Sequence, residues 1–534
     1  MEEYKEEVTK VETVAAPVQQ QVNGDIDLFD ETGHIRLVPV PSASPRDPLN
    51  WSKSRKLLVV IACCWYSIMS LSLVGATGPM LPIFIGMYVP EGVEVATVAR
   101  FATWPSLFVG LGNFVFLPLA LACGRRFAFL IAAAMCLIAT IVCATSNNFT
   151  TNFTGTLFQA LGAGITESLL PLIITDVTFV HERGKYFGIY WTTQSMLSSV
   201  LNIASTFEAE RLSWRWYYGI YAIAVGIGLI LAFFCCPETR FARPPASFNG
   251  QVHVTDEYGE QRVVSGEEAA AYSSYAATDV DMTPLTYGET LKVWNGVPKG
   301  GWKLAGKSYI SMARCLTSPG LLWAVIYTGM VLAVSIALAL TYGTVLTTKL
   351  GWPDANTGLI TVGAVPGGLA ANFYAGYLMD KLALRSARKN GGKHKPEARL
   401  PIIIVPTLVG ITAATVYAFA IQYPERFGWP TIVVMWGCYF FCFVSSLIVS
   451  TTFAVEVCPQ APGPALVVAV AFKNVVAFGM AYGISDMIND YPAKSYLSSY
   501  GVLIGCLGAA MLLAIPVYFF NGKWRKSGAG HIQN

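Results

Sequence analysis

The sequence predicts an all-α integral membrane protein with about twelve transmembrane helices arranged in two six-helix halves. Three observations carry that prediction. Of the 534 residues 54% are hydrophobic and only 13% charged, with a mean hydropathy of +0.49, more apolar surface than soluble cores hide. The apolar residues fall in unbroken runs without period-two alternation, which selects helices over barrel strands. Six such runs precede a polar gap and six follow it, each long enough at about 1.5 Å per residue to cross a core of about 30 Å.

Residues 1–56 are acidic and then Gln- and Pro-containing, too poor in apolar side chains to offset the entropy of ordering and without the apolar core of a signal peptide. They are expected to be a disordered cytosolic tail. Its last stretch, DPLNWSKSRK (Asp47 to Lys56), offers Trp51 to the headgroup layer and Lys53, Arg55 and Lys56 to an anionic leaflet. Spans one to six are placed at 57–79, 97–121, 127–146, 153–178, 186–207 and 216–236, in an N-terminal half of 57–236. The gap at 237–318 reads as a cytoplasmic linker, with a short interfacial helix around Leu304 to Leu316. The second half, 319–520, holds spans at 319–343, 356–379, 401–422, 430–454, 463–487 and 497–520, and 521–534 are a cytosolic tail.

Bases concentrate after spans two, four and eight, in GRR (Gly124 to Arg126), HERGK (His181 to Lys185) and the run from Lys381 through Arg399. Loops on the opposite side hold at most a lone base, such as Lys349, Arg426 or Lys494, so the positive-inside rule puts both termini in the cytosol. The outer loop SNNFTTNFT carries glycosylation sequons at Asn148 and Asn152, so close to the membrane that chance matches weigh at least as much.

A formal net charge of +3 with scattered Lys and Arg leaves no nucleic-acid footprint. The twelve cysteines lie almost entirely in or beside apolar runs without a CxxC pair, which supports neither a disulfide framework nor a zinc site. No HExxH, GxSxG or Walker loop occurs, and five histidines offer little catalytic material. No enzymatic activity, catalytic residue, metal or cofactor is expected.

The chemistry concentrates in three spans. Glu167 is the one deep acid of span four, and an ionised carboxylate there asks for a proton, a counter-ion or a cationic substrate; the alternative is a Glu held protonated or hydrogen-bonded for packing. At about 100° per residue Thr156, Ala163, Glu167 and Ile174 share a face, whereas Asp176 points the opposite way near the cytosolic end. Asp176 is expected to pair with Arg125 or Arg183 at an inner gate. Span five carries a polar stripe that serves either as helix glue or as a wet pathway, and the larger amides Gln194 and Asn202 favour the pathway. Span eleven places Lys473 and Asn474 about halfway across, where a lysine needs an acid. Lys473 is therefore expected to face the cavity of Glu167 from the opposite half. Tyr327 on span seven and Ser446 on span ten are further polar candidates along that cavity, although packing or helix glue is the favoured reading for each.

These stretches resemble the major facilitator superfamily, specifically its twelve-span fungal drug:proton antiporter branch. The matching segments are DPLNWSKSRK, GLGNFVFLPLALACGRR (Gly110 to Arg126), ESLLPLIITDVTFVHERGK (Glu167 to Lys185), SWRWYYGIYA (Ser213 to Ala222), PETRF (Pro237 to Phe241) and FKNVVAFG (Phe472 to Gly479). The resemblance implies the major facilitator fold, two halves rocking about a midplane site and proton-driven transport. GRR matches the end of the family's loop motif, whose acid is replaced by Leu121, while GYLMDK (Gly376 to Lys381) keeps its acid as Asp380. A cytosolic gate of Arg125, Arg126, Asp176, Arg183 and Asp380 follows. Two departures stand out: Thr156 fills the place of the family's span-four arginine, and Leu201 to Thr206 fill that of the antiporters' GPxxGG.

The implied activity is proton-coupled export of a small organic compound such as a drug, toxin or secondary metabolite. Symport of a charged nutrient, a polyamine or an amino acid, is the alternative that the missing GPxxGG raises. The expected partners are that substrate, protons and the bilayer, for a monomer of the plasma membrane.

Overall fold

The computed structural model describes residues 41–42, 44–241, 246–248, 251–255, 261–264, 283, 285–297, 300–379, 381–382, 385, 396–458, 462–484, 487 and 496–532. Among these, 11 helices are long and apolar enough to cross a membrane. Spans one to four are Lys53–Gly75, Val95–Cys123, Arg125–Thr145 and Phe149–Val177, and span six is Trp214–Cys235. Spans seven to twelve are Pro319–Leu350, Asp354–Leu378, Pro396–Gln422, Pro424–Val457, Gly463–Tyr482 and Tyr496–Trp524. The helix Val180–Arg211 takes the place predicted for span five.

Local chemistry explains the span ends. Ser52 caps span one by accepting from the amide of Arg55 at 3.4 Å. Pro319 and Pro424 open spans seven and ten, where a missing N–H costs nothing. Spans two and three are joined through the single residue Gly124, at φ 110°, where an added Cβ would run into the Glu238 carboxylate.

The two halves touch most extensively along two helix pairs, spans two with eleven and five with eight. Span two approaches span eleven so closely that a Cβ on Gly110 would fall 2.9 Å from the Ala471 carbonyl. Phe114 against Phe472, centroids 5.2 Å apart, and Trp104 against Phe478, 5.7 Å apart, extend that seam. Between spans five and eight, Thr206 Oγ1 donates to Ala355 O (2.7 Å) and Thr361 Oγ1 to Ser199 O (3.1 Å). The Glu210 carboxylate accepts the backbone N–H of Ala355 across the halves. Thr357 Oγ1 adds a 3.2 Å bond to Pro79 O, so the halves are closed at the Glu210 end.

At the opposite end, which carries Arg125, the expected amphipathic helix is present as Gly301–Leu316. It buries Leu304, Ala305, Met312 and Cys315, packs on spans two and eleven, and ties Tyr309 to the Phe114 carbonyl at 2.9 Å. An antiparallel sheet in the same linker, β1 (Ala246–Phe248), β2 (Gln251–Thr255) and β3 (Gln261–Val264) in that order, was not expected. Its strands are too short for a periodicity signal, although the Asn249–Gly250 dipeptide between the first two is a hairpin signature.

Candidate functional site

Span four is not one regular helix. It runs as Phe149–Ala163, tightens into a 3-10 turn at Gly164–Glu167 and resumes at Leu169–Val177, with Ser168 at φ −128°, ψ −58° in the joint. Gly164 sits where span two crosses, since a Cβ there would lie 2.9 Å from the Gly112 Cα. Tyr190 of span five ties the turn down, donating to the Thr166 carbonyl at 2.6 Å.

The tightened turn resets the angular register of the helix, about three residues per turn in place of 3.6. Thr156 and Glu167 therefore do not share a face. Thr156 is fully buried inside the first half, where Oγ1 donates to Asn152 O at 3.0 Å and lies 3.9 Å from Cys143 Sγ. Glu167 turns to the second half instead. Its Oε1 accepts from Lys473 Nζ at 2.7 Å and its Oε2 from Asn474 Nδ2 at 3.0 Å. The Lys473 side chain is 2% exposed and that of Glu167 12%, so little water screens the pair.

Asn474 is the organising residue around this pair. Its Nδ2 also donates to Val470 O (3.0 Å), and its Oδ1 accepts from Ser106 Oγ of span two at 3.3 Å. Spans two, four and eleven thus meet at one amide. Sequence reasoning missed Ser106, because a lone serine in an apolar helix is ordinarily bonded to its own backbone. On its other flank Lys473 borders a narrow crevice lined by Thr328, Val331, Phe443, Ser446 and Leu447.

Of the residues expected along the cavity, Ser446 reaches this crevice. Tyr327 does not: it is fully buried, and its hydroxyl bonds to Thr407 Oγ1 (2.6 Å) and Ser446 Oγ (2.7 Å), tying spans seven, nine and ten together. Asn202 serves as glue as well. With its amide oriented to satisfy both groups, it donates to Ser198 O (3.3 Å) and to Ser72 O of span one (3.2 Å). A carbonyl within reach on the next helix claims the amide that would otherwise line a pathway. Gln194 is half-buried on span five and lies outside both the pair and the crevice.

The expected gate residues form a second cluster at the Arg125 end. Arg125 Nε meets Asp176 Oδ2 at 3.3 Å, and Thr239 Oγ1 donates to the same oxygen at 2.9 Å. Glu238 caps span three, accepting from the amides of Arg125 (2.9 Å) and Arg126 (3.3 Å). The Arg126 guanidinium is buried over carbonyls: Cys236, Phe233 at 2.7 Å, Leu291 at 3.2 Å and Lys292 at 3.0 Å. It thereby closes the end of span six. Burial, and then the like charge of Arg125, pulls the Arg240 guanidinium below its ordinary pKa. These described contacts lie within the first half and its linker, so the cluster braces one half. The Arg183 side chain and Asp380 lie outside the described residues.

The second half has a matching brace that sequence reasoning did not pick out. Arg399 at the start of span nine holds Glu456 at the end of span ten through two bonds, 2.9 and 2.7 Å. The signal was positional, since Arg125 and Asp176 occupy the same places on spans three and four.

The two sequons separate cleanly. Asn148 is exposed and caps span four, accepting from Thr151 N at 2.7 Å. Asn152 is fully buried and donates to Tyr88 OH at 2.9 Å, which leaves no room for a glycan and corrects that expectation.

Two helical halves joined at mid-depth by a charge pair define a multi-pass membrane transporter. The sequence profile described as Major Facilitator Superfamily matches residues 60–483, and the chain belongs to that superfamily. An uncharacterised MFS-type transporter of Schizosaccharomyces pombe is 23% identical over 91% of this chain and 87% of its own length. The MFS-type transporter paaT of Penicillium rubens is 23% identical over 74% of this chain and 66% of its own. Among solved structures, the xylose transporter XylE of E. coli, in a partially occluded inward-open conformation, aligns with TM-score 0.54 at 15% identity, covering 88% of this chain and 98% of that one. A POT family transporter in complex with 5-aminolevulinic acid aligns with TM-score 0.57 at 13% identity, covering 94% and 100%. At such identities these two structures establish the fold alone.

Proposed function

We propose that the chain is a proton-coupled secondary active transporter, which moves a small organic compound by alternating access and uses Glu167 to take and release the proton. The observation that carries this reading is the 2.7 Å Glu167–Lys473 pair, with one partner on each half. Halves that rock about a midplane site must part this pair, and protonation of Glu167 removes the attraction that opposes parting.

Export of a drug, toxin or secondary metabolite in exchange for protons is the direction favoured by resemblance to the antiporters. Proton-coupled uptake of a charged nutrient is the second reading. It is favoured by Leu201 to Thr206, where Asn202 and Thr206 bond to spans one and eight in place of the antiporters' GPxxGG. The basic loops orient the protein with both termini in the cytosol of a plasma-membrane carrier, so that the Arg125 end faces inward.

The test is the purified chain in vesicles with an imposed pH gradient, offered organic cations, anions and neutral compounds. Substrate-dependent proton flux that disappears in Glu167→Gln is expected. Undiminished coupling in that variant rules the reading out.

A further inference from the structure

We infer that the substrate group received at this site is an organic anion, a carboxylate in the simplest case, which Lys473 takes over from Glu167 when Glu167 is protonated, so that anion and proton travel together. This rests on the proton-coupled reading above, takes its second form, symport, in place of exchange, and adds the charge of the substrate to it.

Charge balance in a water-poor site sets the sign of the ligand. Glu167 has two donors, Lys473 Nζ and Asn474 Nδ2, so as a neutral acid it keeps the 3.0 Å bond from Asn474. Lys473 has only Glu167: no other hydrogen bond or ion pair is recorded for it among the described residues, and it is 2% exposed. The groups at the pair are Asn474 and, bonded to it, Ser106 of span two, with Thr328 and Ser446 along the crevice; the Tyr190 hydroxyl of span five is bonded to the Thr166 carbonyl in the adjoining turn. None is a second acid. Every other Asp or Glu of the described spans lies at a helix end.

A cation arriving at the ionised pair would raise the site to a net positive charge with nothing buried nearby to offset it. Protonation of Glu167 alone has the same result, because the ammonium of Lys473 then stands uncompensated. An anion arriving with the proton restores neutrality. In that step a proton from water bonds to a Glu167 oxygen, Lys473 remains an ammonium, and the anion accepts its N–H bonds; no other covalent bond changes. The crevice flanking Lys473, lined by Thr328, Val331, Phe443, Ser446 and Leu447, is closed in this structure, so the anion enters only when the halves part.

The experiment is thermal stabilisation of the detergent-purified full chain by sodium formate, acetate and benzoate, against choline and tetramethylammonium chlorides and matched sodium chloride. Glu167→Gln, which imitates the protonated acid, is expected to be stabilised by the carboxylates at pH 8, with affinity at least about tenfold above wild type, an energy gap of about 1.4 kcal/mol. Wild type gains the same stabilisation only as the pH falls, and Lys473→Gln shows none at any pH. Should Glu167→Gln fold poorly, the pH-dependent benzoate effect in wild type, absent in Lys473→Gln, makes the same test. The inference is overturned if no carboxylate stabilises Glu167→Gln, if binding survives loss of Lys473, or if the two cations stabilise wild type instead. In vesicles, proton flux driven by organic cations and lost in Glu167→Gln would remove the inference and leave proton coupling standing. Undiminished coupling in Glu167→Gln removes the proton-coupled reading itself.

Discussion

Glu167 and Asp176 are both partly buried acids of span four, nine residues apart, and each is held by a base. Glu167 reaches across to Lys473 of the other half, whereas Asp176 meets Arg125 of its own. The central pair has one further side-chain partner, the Asn474 amide. The terminal one is embedded with Thr239 and Glu238 in a network that also caps span three. A bridge inside one rigid half stabilises that half in every state of a transport cycle. A bridge between halves stabilises only the states in which they meet there, so its strength sets the relative populations of those states.

The sharpest way to break this contrast is at the centre. Glu167→Gln is expected to cut gradient-driven transport by at least about a hundredfold, the scale of losing one partner of a buried charge pair, measured as proton-coupled flux in vesicles. Next, Arg125→Met removes one charged hydrogen bond from the Asp176 network and is expected to lower folding stability by about 1.5–3 kcal/mol, read as a fall in melting temperature. The pH profile of the protein that remains folded should not move. A profile displaced as in Glu167→Gln would merge the two pairs into one device. Asn474→Ala removes a single donor to Glu167 and the acceptor for Ser106; transport is expected to fall about five- to tenfold, the scale of one charged hydrogen bond. Smallest is Ser106→Ala, expected to change transport by about twofold or less, since one neutral bond of 3.3 Å is lost. A larger effect would give span two a direct part in the site.

Much of this contrast was legible in the amino-acid sequence, because charge in hydrocarbon is expensive enough to be conspicuous. Glu167, Lys473 and Asn474 stand out at mid-span, and an acid and a lysine facing one cavity from opposite halves follows from cost, whereas whether they touch or flank a substrate is not readable from spacing. Arg125 with Asp176 was legible from loop position. Thr156 was misplaced because helical-wheel reasoning assumes a uniform 3.6-residue turn, and Gly164–Glu167 is wound tighter. Asn202 was misjudged for another reason: an amide finds partners that only the packing brings near, here Ser72 O, whereas Tyr327, bonded to Thr407 Oγ1, takes the packing role favoured for it. Arg399 and Glu456 were readable only by carrying the first-half geometry onto the second. The helix Gly301–Leu316 was caught from its amphipathic pattern, and the short linker strands escaped because three to five residues hold too little pattern.

The Glu210 carboxylate, at the last turn of span five, receives the first free amide at the head of span eight. A carboxylate on a helix N-terminus is held by dipole and hydrogen bond together, and this one reaches across the seam between the halves. Under the alternating access proposed above, each opening at that end must first hydrate both an anion and an exposed helix head, so the waiting time before opening would lengthen with the strength of this cap.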